Sequence, residues 1–278
     1  MSAPNRVRRA HGDAPGDGRA TSRAARLAGV LALAGAALLA AAGVLPARWA
    51  MAWVPDGAPV TLVDAQGSLW SAQATLAVGA GPLRRSLPEP LHWRFAFAGG
   101  PRVSVSHAWL GGPLEIRPAW GGVRISGQTL RVPAALLTTL HAVFNTLEPE
   151  GDLLLQWPDL VVGRGGPEAA PGGELLRIRW RQAGSALSRI RPLGDYRLSV
   201  AAAAGPEPGF ALRLSTEDGP LRLDGAGTWS PSGRLVFDGR AWADASASPD
   251  TRVALRRLLD TLGPRTGPDG ATLLRIRS

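Results

Sequence analysis

Leu91-His92-Trp93-Arg94-Phe95-Ala96-Phe97-Ala98-Gly99-Gly100-Pro101-Arg102-Val103-Ser104-Val105-Ser106-His107-Ala108-Trp109 is the stretch that decides how this chain folds. Leu91, Trp93, Phe95 and Phe97 fall on one side of an extended backbone, with His92 and Arg94 on the other. Val103, Val105, His107 and Trp109 repeat the alternation against Arg102, Ser104 and Ser106. A period of two residues belongs to a strand with one apolar face, and the glycines and proline between the runs supply a turn. The stretch reads as two antiparallel strands, and the chain around it is written in the same way.

Upstream, residues 60–63 lead through Ala65-Gln66-Gly67 into a second alternating run over 68–78. Downstream, Leu114 and Ile116, Val123 and Ile125, then Leu130 and Val132 continue a meander. Strands are expected again over 152–157 and at Val161-Val162. Beyond these, Leu176, Ile178 and Trp180 alternate with Arg177, Arg179 and Arg181, followed by Tyr196, Leu198 and Val200, and by Phe210, Leu212 and Leu214. Short strands fit 221–224, 226–229, 234–237 and 272–277.

Two segments break the period. In 133–145, Leu136, Leu137, Leu140, Val143 and Phe144 recur at helical spacing behind Pro133, which suits a first helical position. In 250–262, Asp250 is a candidate N-cap and Gly263-Pro264 a stop. Gly112-Pro113-Leu114-Glu115-Ile116 is echoed by Gly219-Pro220-Leu221-Arg222-Leu223, and Asn145-Thr146-Leu147 by Asp260-Thr261-Leu262. With the glycine-rich 163–173 as the break, the body reads as two related halves, about 59–163 and 174–278, each with one short helix. The fold expected is mainly β: a long twisted antiparallel sheet with a helix packed on each half.

Ahead of this body lies Leu27 to Leu45, nineteen residues without a charge between Arg26 and Arg48. At ~1.5 Å per residue it makes a helix of about 28 Å, close to the hydrocarbon thickness of a bilayer. Arg6, Arg8, Arg9, Arg19, Arg23 and Arg26 against Asp13 and Asp17 bias the N-terminus to the cytoplasm. Trp49 and Trp53 stand where indole rings favour the far headgroup layer. The domain reading is a disordered cytoplasmic tail over 1–26, a transmembrane anchor over 27–48, and a periplasmic β domain over 49–278. The competing reading is a cleavable signal peptide, with Ala50-Met51-Ala52 as its small-x-small site.

Composition removes several chemistries. All 31 basic residues are arginine, which excludes Schiff-base, pyridoxal and phosphate-loop lysines. There is no cysteine, hence no disulfide, thiolate or zinc–cysteine site. Much of the net charge of +9 sits in the tail and at Arg48, and the remaining arginines are spread among acids, so no nucleic-acid partner is indicated. His11, His92, His107 and His141 show no ligand spacing, and a hydrogen-bonded core role is expected of His107. Asp64, Asp224 and Asp238, near glycines, read as turn residues. No catalytic, metal or cofactor site emerges and no enzyme is expected. Most tryptophans beyond the membrane exit are expected in the core.

Gly67-Ser68-Leu69-Trp70, soon after an apolar N-terminal segment, resembles the G-[ST]-L-W segment of the type II secretion system protein N family. Leu91-His92-Trp93 is similar to that family's following strand, and Pro149-Glu150-Gly151-Asp152-Leu153-Leu154-Leu155 to its mid-domain strand. The segment from Gly173 to Trp180 with Leu193-Gly194, then Gly219-Pro220-Leu221, Trp229, Gly233-Arg234-Leu235 and Leu262-Gly263, fit its second half. The resemblance runs over about 25–277. It implies a bitopic inner-membrane accessory component of the machine that carries folded proteins across the Gram-negative outer membrane. Its partners would be other secretion components and inner-membrane lipid, and the family supplies no catalytic residues. The rival reading is a lipid-handling periplasmic module, since repeated amphipathic strands also build an apolar groove of the AsmA-like kind.

Overall fold

The computed structural model describes residues 35, 43–49, 58, 60–79, 84–139, 143–164, 166–168, 172–204, 209–262 and 271–277. Residues from Pro46 onward form one compact unit, and those up to Leu45 another. The described elements of the larger unit are mainly strands. In chain order they are β1 (Val60–Ser68), β2 (Ser71–Val78), β3 (Arg85–Ala96), β4 (Arg102–Ser106), β5 (Leu114–Ala119), β6 (Gly122–Ile125), β7 (Gln128–Pro133) and β8 (Pro149–Trp157). They continue with β9 (Leu160–Gly163), β10 (Gly166–Glu168), β11 (Glu174–Ser185), β12 (Gly194–Ala202), β13 (Phe210–Asp218), β14 (Leu221–Trp229), β15 (Leu235–Ala243) and β16 (Thr272–Arg277).

The strands form two antiparallel sheets of eight, ordered β1-β2-β3-β4-β5-β6-β9-β10 and β16-β15-β14-β13-β12-β11-β8-β7. The alternation seen in the sequence sets the register: Trp93 stands opposite Val105 and Phe95 opposite Val103, so apolar side chains meet across the hairpin. The one long sheet expected is instead two, because two neighbouring stretches pass from one sheet to the other. The chain leaves the first sheet at Ser126-Gly127, between β6 and β7, and returns at Pro158-Asp159, between β8 and β9. Bends of this kind are how strands change sheets.

The two crossing stretches are tied together where they bend. The Gly127 N–H donates to Asp159 Oδ1 at 2.6 Å, and Trp157 Nε1–H to the Ser126 carbonyl at 3.1 Å. A Cβ at Gly127 would lie 3.1 Å from the Trp157 carbonyl oxygen, which explains glycine at this close approach. The β4–β5 connection then covers the outer edge of β7. Gly111 N–H donates to Thr129 O at 2.8 Å and Arg131 N–H to Trp109 O at 2.9 Å, with Leu110 bridged to Leu130. An otherwise open row of backbone groups is thereby satisfied.

The helix expected over 133–145 is not α-helical throughout its described residues. Pro133 is the last residue of β7, opposite Asp152, and Ala134–Thr139 forms a 3-10 helix before a five-residue helix, Val143–Leu147. Thr138 and Thr139 hydroxyls donate to the Ala135 and Leu136 carbonyls, each at 2.7 Å. These i−3 bonds belong to the tighter 3-10 winding. The C-terminal helix runs Pro249–Leu262. Its cap is Ser248, whose Oγ accepts from Thr251 N–H at 3.2 Å, so Pro249 takes the first helical position and Asp250 lies one residue inside. Leu255 and Leu259 drive this helix onto the second sheet beside Leu193, Leu221 and Ala241.

Asp244, just after β15, accepts at Oδ1 from the N–H and hydroxyl of Ser246, each at 2.7 Å, and pairs with Arg222. The Ser246 donors, then Arg222, hold its carboxyl down at about 2. A carboxyl with a depressed folded value stabilises the fold above its unfolded value of about 3.9, and that contribution is lost as pH falls through the folded value. Asp244→Asn should therefore flatten the acid limb of a pH–stability curve between about pH 4 and about pH 2, measured by denaturant unfolding at stepped pH. Leu255, with no exposed surface, is the tightest test of the C-terminal core. Leu255→Ala should lower unfolding free energy by about 2–5 kcal/mol in urea titration of the full chain.

Candidate functional site

The chain enters the first sheet through residues 46–49. Pro46 bridges Ser68, the Ala47 side chain is 1% exposed and packs with Ala74 and Trp93, and Trp49 N–H donates to Pro46 O at 3.1 Å. Trp49 itself is 58% exposed and Leu45 half-buried. Leu27 and Trp53 lie outside the described residues, as does nearly all of 27–42. Among the described residues no helix is long and apolar enough to cross a membrane.

Gly67-Ser68-Leu69-Trp70 forms the end of β1 and the turn into β2, with Ser68 opposite Ser71. Gly67 has φ 100°, and a Cβ there would lie 2.7 Å from the Ser71 carbonyl oxygen. Leu69 is buried; its carbonyl accepts Trp93 Nε1–H at 2.8 Å, and the Trp70 carbonyl accepts Phe95 N–H at 2.7 Å. The Trp70 ring meets Phe95 edge-on at 5.4 Å and Phe97 at 5.8 Å. These four residues therefore lock the first hairpin onto β3 and start an aromatic row.

That row continues along one end of the first sheet. Because neighbouring strands are antiparallel, the β1–β2, β3–β4, β5–β6 and β9–β10 turns share an end, and the connections towards the second sheet leave from the other. At successive turns stand Trp70, Phe97, which is 63% exposed, and Trp120, which is fully exposed. With strands ~4.8 Å apart, the three turns follow one another at about 10 Å. Arg164 is exposed at the last. Trp93, 8% exposed, has the core position expected of a tryptophan, whereas Trp120 does not. The signal for Trp120 was its neighbour: Gly121, with φ 82°, makes the two-residue turn that holds the indole clear of the sheet.

The remaining candidates are structural. His107 is buried, with Nε2–H donating to Glu89 O at 3.1 Å and Nδ1 accepting from Trp109 N–H at 3.1 Å. His92 is exposed on the polar face, and His11 and His141 lie outside the described residues. Asp224 and Asp238 are not turn residues: they sit within β14 and β15, facing Arg240 at 3.7 Å, and Arg275 and Arg277 at 3.6 and 3.4 Å. Asp64 has φ 51° at an irregularity in β1. Tyr196 donates to Leu221 O at 3.1 Å, and burial pushes its hydroxyl pKa well up. No group of three or more His, Asp or Glu that could hold a metal occurs among the described residues.

A family model described as type II secretion system (T2SS), protein N, matches residues 58–275, from the connector before β1 into β16. No curated protein and no solved structure matches the chain.

The lock at Gly67 is directly testable. Gly67→Ala adds a Cβ against the Ser71 carbonyl at a backbone angle that L residues avoid, and should destabilise the chain by about 1–3 kcal/mol. Urea unfolding measures the loss. A change within error would show that the turn relaxes freely.

Proposed function

This chain belongs to the type II secretion system protein N family, and from that premise we propose that it serves the export machine as a non-enzymatic scaffold. In this reading the segment 27–48 anchors the chain once in the inner membrane through its apolar stretch, which ends at Leu45, while 1–26 stay in the cytoplasm and 49–278 stand in the periplasm. There the body contacts other secretion components. The observation that supports the reading is the connector: Pro46 is bridged to Ser68 and Ala47 is buried in the core cluster of the first sheet, so the β body begins directly after the apolar stretch that ends at Leu45. Partner contacts fall to β16, the edge strand of the second sheet. The echoed Gly-Pro-Leu segments, which lead into β5 and β14, fit a body built from two copies of one module.

A second reading, the lipid-handling module, is favoured by one face of the second sheet. Ile178, Leu198, Val200, Leu212 and Leu214 lie on its apolar side and are only half-buried, while the C-terminal helix packs on β15 and β16. Lipid extracted from the purified full chain and identified by mass spectrometry would support it.

Deleting the gene should leave secreted enzymes folded but held in the periplasm, read as enzyme activity in medium against periplasmic extract. Unchanged export while the system is active would contradict the scaffold role.

A further inference from the structure

The free end of the first sheet is also the end at which the chain enters it. Pro46, one residue beyond the apolar stretch 27–45, is bridged to Ser68, two residues before Trp70 in the first turn of the row. Adjacent Cα atoms are ~3.8 Å apart, and the headgroup layer on each side of a bilayer is roughly 5–8 Å deep. A chain that leaves the hydrocarbon at Leu45 and is fastened to the sheet at Pro46 has no room to lift that end of the sheet clear of the headgroups.

We propose that this end of the first sheet docks into the interfacial layer of the bilayer that holds the anchor, with Trp70, Phe97 and Trp120 as its contacts. The proposal rests on the reading of 27–48 as a retained anchor. Lipid is the occupant that the chemistry fits. Indole and phenyl rings favour the boundary between headgroups and acyl chains. Here Phe97 and Trp120 stand exposed on hairpin turns, and Trp70 is half-buried beside Phe97. Trp120 gives up its entire surface to solvent in the free chain, which a core role cannot explain. Trp49 and Arg48 are exposed in the connector by which the chain arrives, and Arg164 is exposed at the last turn, where a guanidinium group can meet lipid phosphates. An anchor and a row of turns make two attachments to the same bilayer. The second sheet, joined at the opposite end, is left for other partners.

The cysteine-free chain makes the test clean. Single cysteines at Phe97→Cys, Trp120→Cys and, as a control in the exposed connection after β11, Leu187→Cys are labelled with an environment-sensitive nitrobenzoxadiazole dye. The full chain is reconstituted in phosphatidylcholine–phosphatidylglycerol vesicles carrying a nitroxide high on the acyl chain. Probes at 97 and 120 should shift to the blue and be quenched several-fold more than the probe at 187. Alkaline extraction of the same vesicles reports the anchor independently. A chain that resists extraction but shows equal quenching at all three positions overturns the docking and leaves the anchor standing. A chain released by alkali overturns both.

Discussion

Ala47 against Ala74 and Trp93 is the contact on which the rest depends. Ala47 is 1% exposed in this cluster, and the Trp93 ring beside it is held by its N–H, which donates to the Leu69 carbonyl at 2.8 Å. A small residue at 47 lets the arriving backbone come close enough for Pro46 to bridge Ser68. The connector, residues 46–49, becomes part of the first sheet.

The second constraint is the exchange between sheets. A meander folded wholly within each half would make two independent sheets joined by one strand of chain. Instead β7 and β8 cross over, β9 and β10 return, and the β4–β5 connection pairs with the edge of β7. The two crossing stretches are paired on both sides of the bend, through β6 with β9 and β7 with β8. Load placed on either sheet is thus carried by two hydrogen-bonded strands.

Much of this was legible in the residues. The two-residue alternation of 91–109 fixed the strands and their inward faces, since a slip by one residue would turn Trp93 out to solvent. Partner choice was not legible, because alternation names a face and not a neighbour; hence one long sheet was expected where there are two. Gly225 looked like a break between short strands, yet β14 runs through it opposite Gly239. The ring of Phe237 lies over both glycines, and a Cβ at Gly225 would meet it at 2.5 Å. The glycine marks a close approach, not an end. The helical spacing of 133–145 was real but lost to Pro133, held in the β7–β8 ladder, and to threonine hydroxyls that prefer the tighter turn. At the candidate site the turn residues of the Gly67–Trp70 segment were visible. The row of exposed aromatics was not, because it arises from turns far apart in sequence that antiparallel pairing brings to one end.

The docked connector is the feature to measure. Cysteines placed at Arg48 and Gln73, both exposed, can carry nitroxides for double electron–electron resonance on the full chain in lipid vesicles. A connector built into the sheet gives a single narrow distance distribution, unchanged between detergent and bilayer. A broad distribution would mean that residues 46–49 move freely and are not part of the sheet.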